Sequence, residues 1–304
     1  PATRNTISKH IHGIMDSPIM MALSAARGSQ TPIIFVPSMH QDLFDDPVTS
    51  DLLEKIVDEG NYCIIDSEKE GRRKQPSPIE IVAKVAHISN SSLPNRKKIA
   101  ITLGATRAPI DSVRAIQNAS SGKTGWAIAE YLFMKGHDVN CIAGKTSASP
   151  SFNLPNIHRS GSPEEMLSQC IEIAKNSPSP NVWIHAAAVL DYTMPAEVGK
   201  RPSGQESWKI ELKPTVKHIS ELSQHVGECI RIGFKLETNV SDEKLIQKSL
   251  DQISKYGVDA VVANLLGQIG DSEYPRARLV NPDGSFKVLN SQMDLCEELE
   301  KFIS

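Results

Sequence analysis

The stretch Ile99–Gly125, IAITLGATRAPIDSVRAIQNASSGKTG, decides the fold of this chain. It opens with Ile99-Ala-Ile-Thr-Leu103, an apolar, β-branched run of the length of a buried strand. The run breaks at Gly104 and passes through a polar loop holding Arg107, Asp111, Arg114 and Asn118. It closes on Ser120-Ser121-Gly122-Lys123-Thr124-Gly125, directly before a helical pattern from Trp126 to Lys135. A strand, a loop of small residues and a helix start make an anion site. The first N–H groups of a helix lack internal partners and lie at the positive end of its dipole. Two familiar phosphate motifs do not fit. A P-loop needs glycine where Gln117 stands, and a dinucleotide fingerprint needs its glycines packed tightly behind the strand. The plain alternative is a helix cap by Ser120 or Ser121, with glycines for packing.

Working outward, strand and helix patterns alternate. Strands are expected over 137–143, 181–187, 229–236 and 260–263, and helices over 164–175, 215–227 and 242–256. Arg278–Val280 and Phe286–Leu289 flank Pro282-Asp-Gly284 as a hairpin, and a helix from Asp294 to Ile303 closes the chain. The fold class is α/β: a Rossmann-like parallel sheet over residues 97–304, with helices on both faces and a C-terminal hairpin. Before it, residues 1–90 read as a partial flavodoxin-like α/β segment. Its helices are expected from Ile7 to Asp16, over 19–26, 47–59 and 78–88, with strands over 32–36 and 61–65 and a polar loop over 68–78. Residues 91–96 read as a linker.

The 304 residues fit two domains. A net charge of −3 and scattered aromatics give no footprint for nucleic acid. The five cysteines form no C-x-x-C pair, which suits a reducing compartment and no zinc site. No apolar run of membrane-spanning length and no leader pattern is present, so a cytoplasmic protein with no membrane partner is expected. Tyr131 and Lys135 have the spacing of short-chain reductases but sit on a packing helix. No G-x-S-x-G anchors a Ser-His-Asp reading. Metal ligands stay unassigned. Asp191, at the carboxyl end of a strand, is placed to meet a ribose or a metal-bound phosphate, or is a turn aspartate. The basic, Gly-containing segment from Pro195 to Pro214, with Lys200 and Lys213, is either a lid over an anion or a solvated hairpin.

Four segments carry a family resemblance. They are Gly104-Ala-Thr-Arg107-Ala-Pro-Ile-Asp111-Ser-Val-Arg114, Asn118-Ala-Ser-Ser-Gly-Lys-Thr-Gly125, Ala186-Ala-Ala-Val-Leu-Asp-Tyr192 and Ile232-Gly-Phe-Lys-Leu-Glu-Thr238. Residues 96–304 resemble the phosphopantothenoylcysteine synthetase domain of coenzyme A biosynthesis. Residues 1–90 resemble, through Pro1-Ala-Thr-Arg-Asn-Thr6 and Pro37-Ser-Met39, the C-terminal half of the flavin-dependent phosphopantothenoylcysteine decarboxylase domain. The resemblance implies a phosphopantothenate–cysteine ligase, which activates 4'-phosphopantothenate as an acyl-nucleotide, with CTP or ATP and Mg2+, and couples it to cysteine. It implies a homodimer or higher homo-oligomer. It assigns Asn118 to the acyl carbonyl, Arg114 to phosphopantothenate, and Lys200 to a cover over the intermediate. The nucleotide falls to Gly104, Thr106, Ser120, Ser121, Gly122, Lys123, Ala187, Ala188 and Asp191, with Lys213, Phe234, Lys248 and Asn264 as further lining residues. An FMN-dependent decarboxylase, or a bifunctional flavoprotein, is the alternative. Against it, the loop 68–78 lacks the cysteine that the decarboxylase family carries in a flap, Cys63 lies in the preceding strand, and His40 stands where that family has Asn. In the synthetase part Ala105 replaces a usual Pro and Leu190 a frequent Ala.

Overall fold

A computed structural model of the chain describes residues 1–66, 68–69, 72–204 and 206–304, with only the backbone of Glu68, Lys69, Arg72 and Arg73. The chain divides into two compact units, Pro1–Ala86 and His87–Ser304.

The larger unit is built on one eight-stranded sheet. Its strands are β1 Lys98–Leu103, β2 Asp138–Ala143, β3 Asn156–Arg159, β4 Val182–His185, β5 Ile230–Glu237, β6 Ala260–Leu265, β7 Ala277–Val280 and β8 Phe286–Leu289. Across the sheet they run 3-2-1-4-5-6-7-8. The first six are parallel; β7 and β8 are antiparallel and form the expected hairpin. The sheet is therefore mixed at one edge, and its first six strands have the order of a doubly wound nucleotide-binding fold. In β1, residues Ile99, Ala100, Ile101 and Leu103 have no exposed surface and Thr102 is buried. Burial on both faces demands a continuous apolar run and explains why this strand was legible.

Four helices cover the sheet: α1 Lys123–Met134, α2 Pro163–Ala174, α3 Asp242–Tyr256 and α4 Gln292–Ile303. Successive strand residues face opposite sides. Ala100, Ile142 and Trp183 meet Met166, Cys170 and Ile173 of α2. Val261 and Ala263 meet Leu245 and Ile253 of α3 on the same face. Leu103 points the other way, where Gly125 of α1 lies so close that a Cβ there would stand 2.4 Å from the Leu103 Cβ. The terminal helix α4 is tied on through Glu300, which pairs with Arg96 at 3.3 Å and lies 3.8 Å from the fully buried His137. The Nδ1 of His137 accepts from the Lys97 N–H at 3.0 Å. Burial, helped by the Arg96 charge, pushes this imidazole down to about 4.

In the smaller unit, helices Arg4–Ile11, Pro18–Gly28 and Pro47–Asp58 accompany a two-stranded parallel sheet, Ile34–Phe35 beside Tyr62–Cys63. Its core gathers Ile7, Phe35, Met39, Leu52 and Ile56. Burial pushes the Cys63 thiol up to about 11.

Several elements differ from expectation. The first helix stops at Ile11, because Gly13 turns the chain with φ of +67°. The helix Pro78–Ser91 runs on into the expected linker, held by Asn90 Nδ2 donating to the Met134 carbonyl at 2.8 Å. The expected helix over 215–227 shrinks to His218–Glu221 and a 3-10 turn, Leu222–Gln224. Its first residues are held in a bridge instead, the Thr215 N–H donating to the Asp191 carbonyl at 2.9 Å. The polar loop over 68–78 includes Glu70 and Gly71, which lie outside the described residues.

Two stability predictions follow from this packing. Gly125→Ala puts a methyl against the Leu103 side chain and forces α1 off β1; thermal unfolding should report a loss of about 1–3 kcal/mol, as overpacking typically costs. The folded state holds His137 neutral down to about pH 4, whereas the unfolded chain protonates it near its ordinary value of 6.5. The unfolded state therefore binds the extra proton, and stability should be constant above pH 6.5 and fall between 6.5 and 4. Denaturant titrations at pH 7 and 4.5 measure this, and His137→Gln should narrow the difference.

Candidate active site

β1 and β4 diverge at the point where the strand order reverses, the place where open α/β sheets bind ligands. Beyond their ends the two chains keep bonding. The Ala188 N–H donates to the Gly104 carbonyl at 2.8 Å, and the Thr106 N–H to the Ala188 carbonyl at 3.1 Å. The Leu190 N–H donates to Thr106 Oγ1 at 2.9 Å, and Asn118 Nδ2 to the Ala188 carbonyl at 3.1 Å. Gly104 adopts φ of +77°, and a Cβ there would stand 2.6 Å from Thr146 Cγ2. Gly122 caps α1 with φ of +78° and meets the same methyl at 2.5 Å. Both positions require glycine.

Above this floor lies a cavity of about 920 Å³. The start of α1, residues 120–125, forms one wall, and residues 185–189, with Phe234, Lys235, Leu236 and Asn264, come from the carboxyl ends of β4, β5 and β6. Six cationic side chains line it, Lys123, Lys217, Lys235, Lys248, Lys255 and Arg276, against two carboxylates, Asp191 and Asp251. A chain of net charge −3 thus concentrates positive charge here, where a low-dielectric wall and a helix N-terminus reinforce it. The cations are partly paired. Glu237 takes Lys248 at 2.6 Å and Lys235 at 2.9 Å; the hydrogen bond from Lys248 leads in holding its carboxyl below the ordinary range. Lys217 pairs with Asp191.

Asn118, Ser120, Ser121, Gly122, Lys123, Ala187, Ala188, Asp191, Phe234, Lys248 and Asn264 all line the cavity. Gly104 and Thr106 lie beneath it, with Thr106 wholly buried. Three other candidates stand elsewhere. Lys213 pairs through its backbone with Thr193 in a short antiparallel ribbon. Arg114 braces a turn: it bonds Asp111 at 2.6 Å, donates to the Arg201 carbonyl at 2.7 Å, and stacks 4.6 Å from the Trp208 ring. Burial opposes ionisation of Asp111, but N–H groups of Val113, Arg114 and Arg201 and the Arg114 guanidinium hold it well below the usual carboxylate range. Lys200 sits on the segment held by that turn, where the Ser112 N–H donates to the Gly199 carbonyl at 3.1 Å and the Arg201 N–H to Asp111 at 3.2 Å. The segment expected as either a lid or a solvated hairpin is anchored around Lys200; Gln205 within it lies outside the described residues.

The sequence reading missed Arg276, His185 and His218. Arg276 joins two walls, donating to Thr124 Oγ1 at 2.6 Å and Asn264 Oδ1 at 2.8 Å. Its partners are 152 and 12 residues away, so no local pattern signals it. His185 and His218 are pushed down to about 3 and about 4, in both cases chiefly by burial.

The family model described as DNA/pantothenate metabolism flavoprotein C-terminal domain matches residues 95–296, and the flavoprotein family model matches residues 1–105. The coenzyme A biosynthesis bifunctional protein CoaBC of Thermococcus kodakarensis is 37% identical over 273 residues, covering 90% of this chain and 67% of that protein. Its namesake from Methanocaldococcus jannaschii is 30% identical over 303 residues, covering 98% and 73%. The crystal structure of the DNA/pantothenate metabolism flavoprotein from Streptococcus pneumoniae superposes with a TM-score of 0.62 at 27% identity, covering 68% of this chain and 98% of that one. With more than half of its length matched by the first model and relatives of 30% identity or more aligned over most of it, the chain belongs to the DNA/pantothenate metabolism flavoprotein family.

Proposed function

We propose that the chain is a phosphopantothenate–cysteine ligase, with residues 97–304 as its nucleotide-binding synthetase domain and residues 1–90 as a flavoprotein-type segment joined through 91–96. One observation carries the reading: six cationic side chains and a glycine-capped helix start converge on a single cavity at the sheet's reversal point. That is the surrounding a nucleoside triphosphate needs. Its phosphates would lie against the N-terminus of α1, with Lys123, Lys248 and Arg276 around them. Asp191 would take the ribose. The names of the bifunctional relatives supply the chemistry that fits this anion site.

A carboxylate is a poor electrophile. The phosphopantothenate carboxylate would attack the α-phosphorus of CTP or ATP, forming an acyl-nucleotide and releasing pyrophosphate. The cysteine amine would then attack the acyl carbon, form the amide and expel the nucleoside monophosphate. Both steps call for positioned anions and neutralised charge rather than a covalent enzyme intermediate. Asn118, whose Nδ2 donates to the Ala188 carbonyl, would present the rest of its amide to the acyl group. Lys200 would reach the intermediate by extending its side chain, and Arg114 would face phosphopantothenate while bracing the turn. Lys213 and Phe234 complete the assignment. Among the described residues no group of three His, Cys, Asp or Glu side chains could hold a metal. Mg2+ would accordingly be carried by the triphosphate oxygens and water, as this ion prefers.

The match of residues 1–105 to the flavoprotein family favours a second reading, in which the smaller unit takes part in FMN chemistry. Absorbance near 450 nm of the purified protein would favour it, and a colourless preparation that takes up no added FMN would oppose it.

The deciding experiment is pyrophosphate release with 4'-phosphopantothenate, Mg2+ and either CTP or ATP. Release should require phosphopantothenate, and amide product should appear once cysteine is added; no release with either nucleotide overturns the ligase reading. Two variants divide the roles. Lys123→Ala removes a charge at the phosphate end and should raise the nucleotide KM about tenfold or more, the scale of one charged hydrogen bond. Lys200→Ala lies outside the cavity wall and should lower kcat while leaving that KM within about twofold.

A further inference from the structure

The cavity wall also carries two histidines. His185, the last residue of β4, and His218, at the start of the short helix His218–Glu221, both line it. The Nε2 of His185 and the Nδ1 of His218 are buried and find no hydrogen-bond partner among the described residues. Such orphaned groups are rare and costly, because each has lost water and gained nothing. Trp183 Nε1, beside the His185 ring, is likewise buried with no hydrogen-bond partner among the described residues. Trp183 stacks beside the His185 ring at 6.3 Å, and Val216, Ile219 and Phe234 offer apolar surface nearby. Burial disfavours the charged form of each imidazole, and Arg231 adds to this at His185. A neutral imidazole carries one donor and one acceptor nitrogen. It suits a partner that is itself neutral and amphoteric, and it adds no charge for a phosphate.

We propose that His185 and His218 read the hydrogen-bonding edge of the nucleobase and so set which nucleoside triphosphate the enzyme accepts. This rests on the reading of the cavity as a nucleotide site. The chemistry divides the ligand: phosphates at α1 and its cations, a neutral heteroaromatic ring at the imidazoles, with Phe234 and Ile219 available to the faces of the ring. A site built to bond a polar edge rejects a base that leaves its buried groups unpaired.

The test is steady-state pyrophosphate release with CTP, ATP, UTP and GTP, in the presence of phosphopantothenate and cysteine, alongside inhibition by inorganic tripolyphosphate. His185→Leu and His218→Leu should each raise KM for the preferred nucleotide about tenfold and narrow the preference among the four. Tripolyphosphate inhibition should stay unchanged, since it probes only the phosphate end. His185→Gln, which restores a donor and an acceptor, should recover part of the loss. Should a Leu variant fail to fold, His185→Gln and His218→Asn carry the measurement, with a shift in preference order expected. Unaltered KM values and preferences in the folded variants overturn the inference while leaving the ligase intact. A wild-type protein that neither turns over any of the four nor responds to tripolyphosphate overturns the nucleotide reading and this inference with it.

Discussion

Two parallel strands that part company at a reversal point would leave their last carbonyls and N–H groups without partners. In this protein the parting is closed by bonds made past the sheet's edge. The Gly104 carbonyl takes the Ala188 N–H, and the Ala188 carbonyl takes both the Thr106 N–H and Asn118 Nδ2. On the other side Ala105 and Lys145 exchange bonds at 2.9 and 2.7 Å. Ala105 is thus clamped between the extensions of β2 and β4, and a buried backbone is satisfied without a strand. The clamp fixes where the loop leaves β1 and where Asn118 ends, and with Gly122 packed on Thr146 it sets the start of α1. The cavity walls from 118–125 and 186–189 depend on it.

The parts of this fold that were legible in the sequence are those where one force dominates. β1 and β6 are apolar because they are buried on both faces, and α3 is bounded by Ser241, which caps its first turn, and by Gly257 in the left-handed conformation. The parts that were not legible are held by partners distant in sequence. β3, Asn-Ile-His-Arg, is an edge strand that is only partly buried and shows no period. It exists because its backbone pairs with β2. Residues 215–217 have nothing against a helix except the bonds that hold Thr215 to Leu190 and Asp191. The candidate site divides the same way. The motif residues around α1 and β4 line the cavity, whereas Arg276 enters it from the approach to β7 on no local signal, and Arg114 stands outside its wall, bonded to Asp111 and Arg201.

Gathering six cations around one space has a cost that the wall itself reduces. Lys235 and Lys248 share Glu237, and Lys217 leans on Asp191, so the repulsion between them is damped before any ligand arrives. Arg276 is different: it is engaged by the neutral oxygens of Thr124 and Asn264, and burial pushes its guanidinium down without discharging it. Its charge therefore stays uncompensated next to the helix N-terminus. An anion entering there meets a half-buried cation with no carboxylate partner among the described residues, beside a dipole of the same sign.

The segment bearing Lys200 is a basic loop whose backbone is anchored. Glu197, Gly199 and Arg201 each make a backbone bond to the turn at 110–114, and Asp111 at its centre is almost wholly buried. Arg114 and Arg201 flank Trp208 at 4.6 and 4.8 Å, adding a cation–aromatic layer to the same knot. Lys200 lies between two of these ties, so its backbone has little freedom. What remains free is a four-carbon side chain with an exposed ammonium group. A point charge on a long flexible stem can approach a transient anion and withdraw again without moving the chain that carries it. Anchoring the backbone leaves only the conformational entropy of one side chain to be lost if the ammonium group is ordered. The turn around Asp111 thus fixes the backbone on either side of Lys200, as the glycine turn at Gly122 fixes the start of α1.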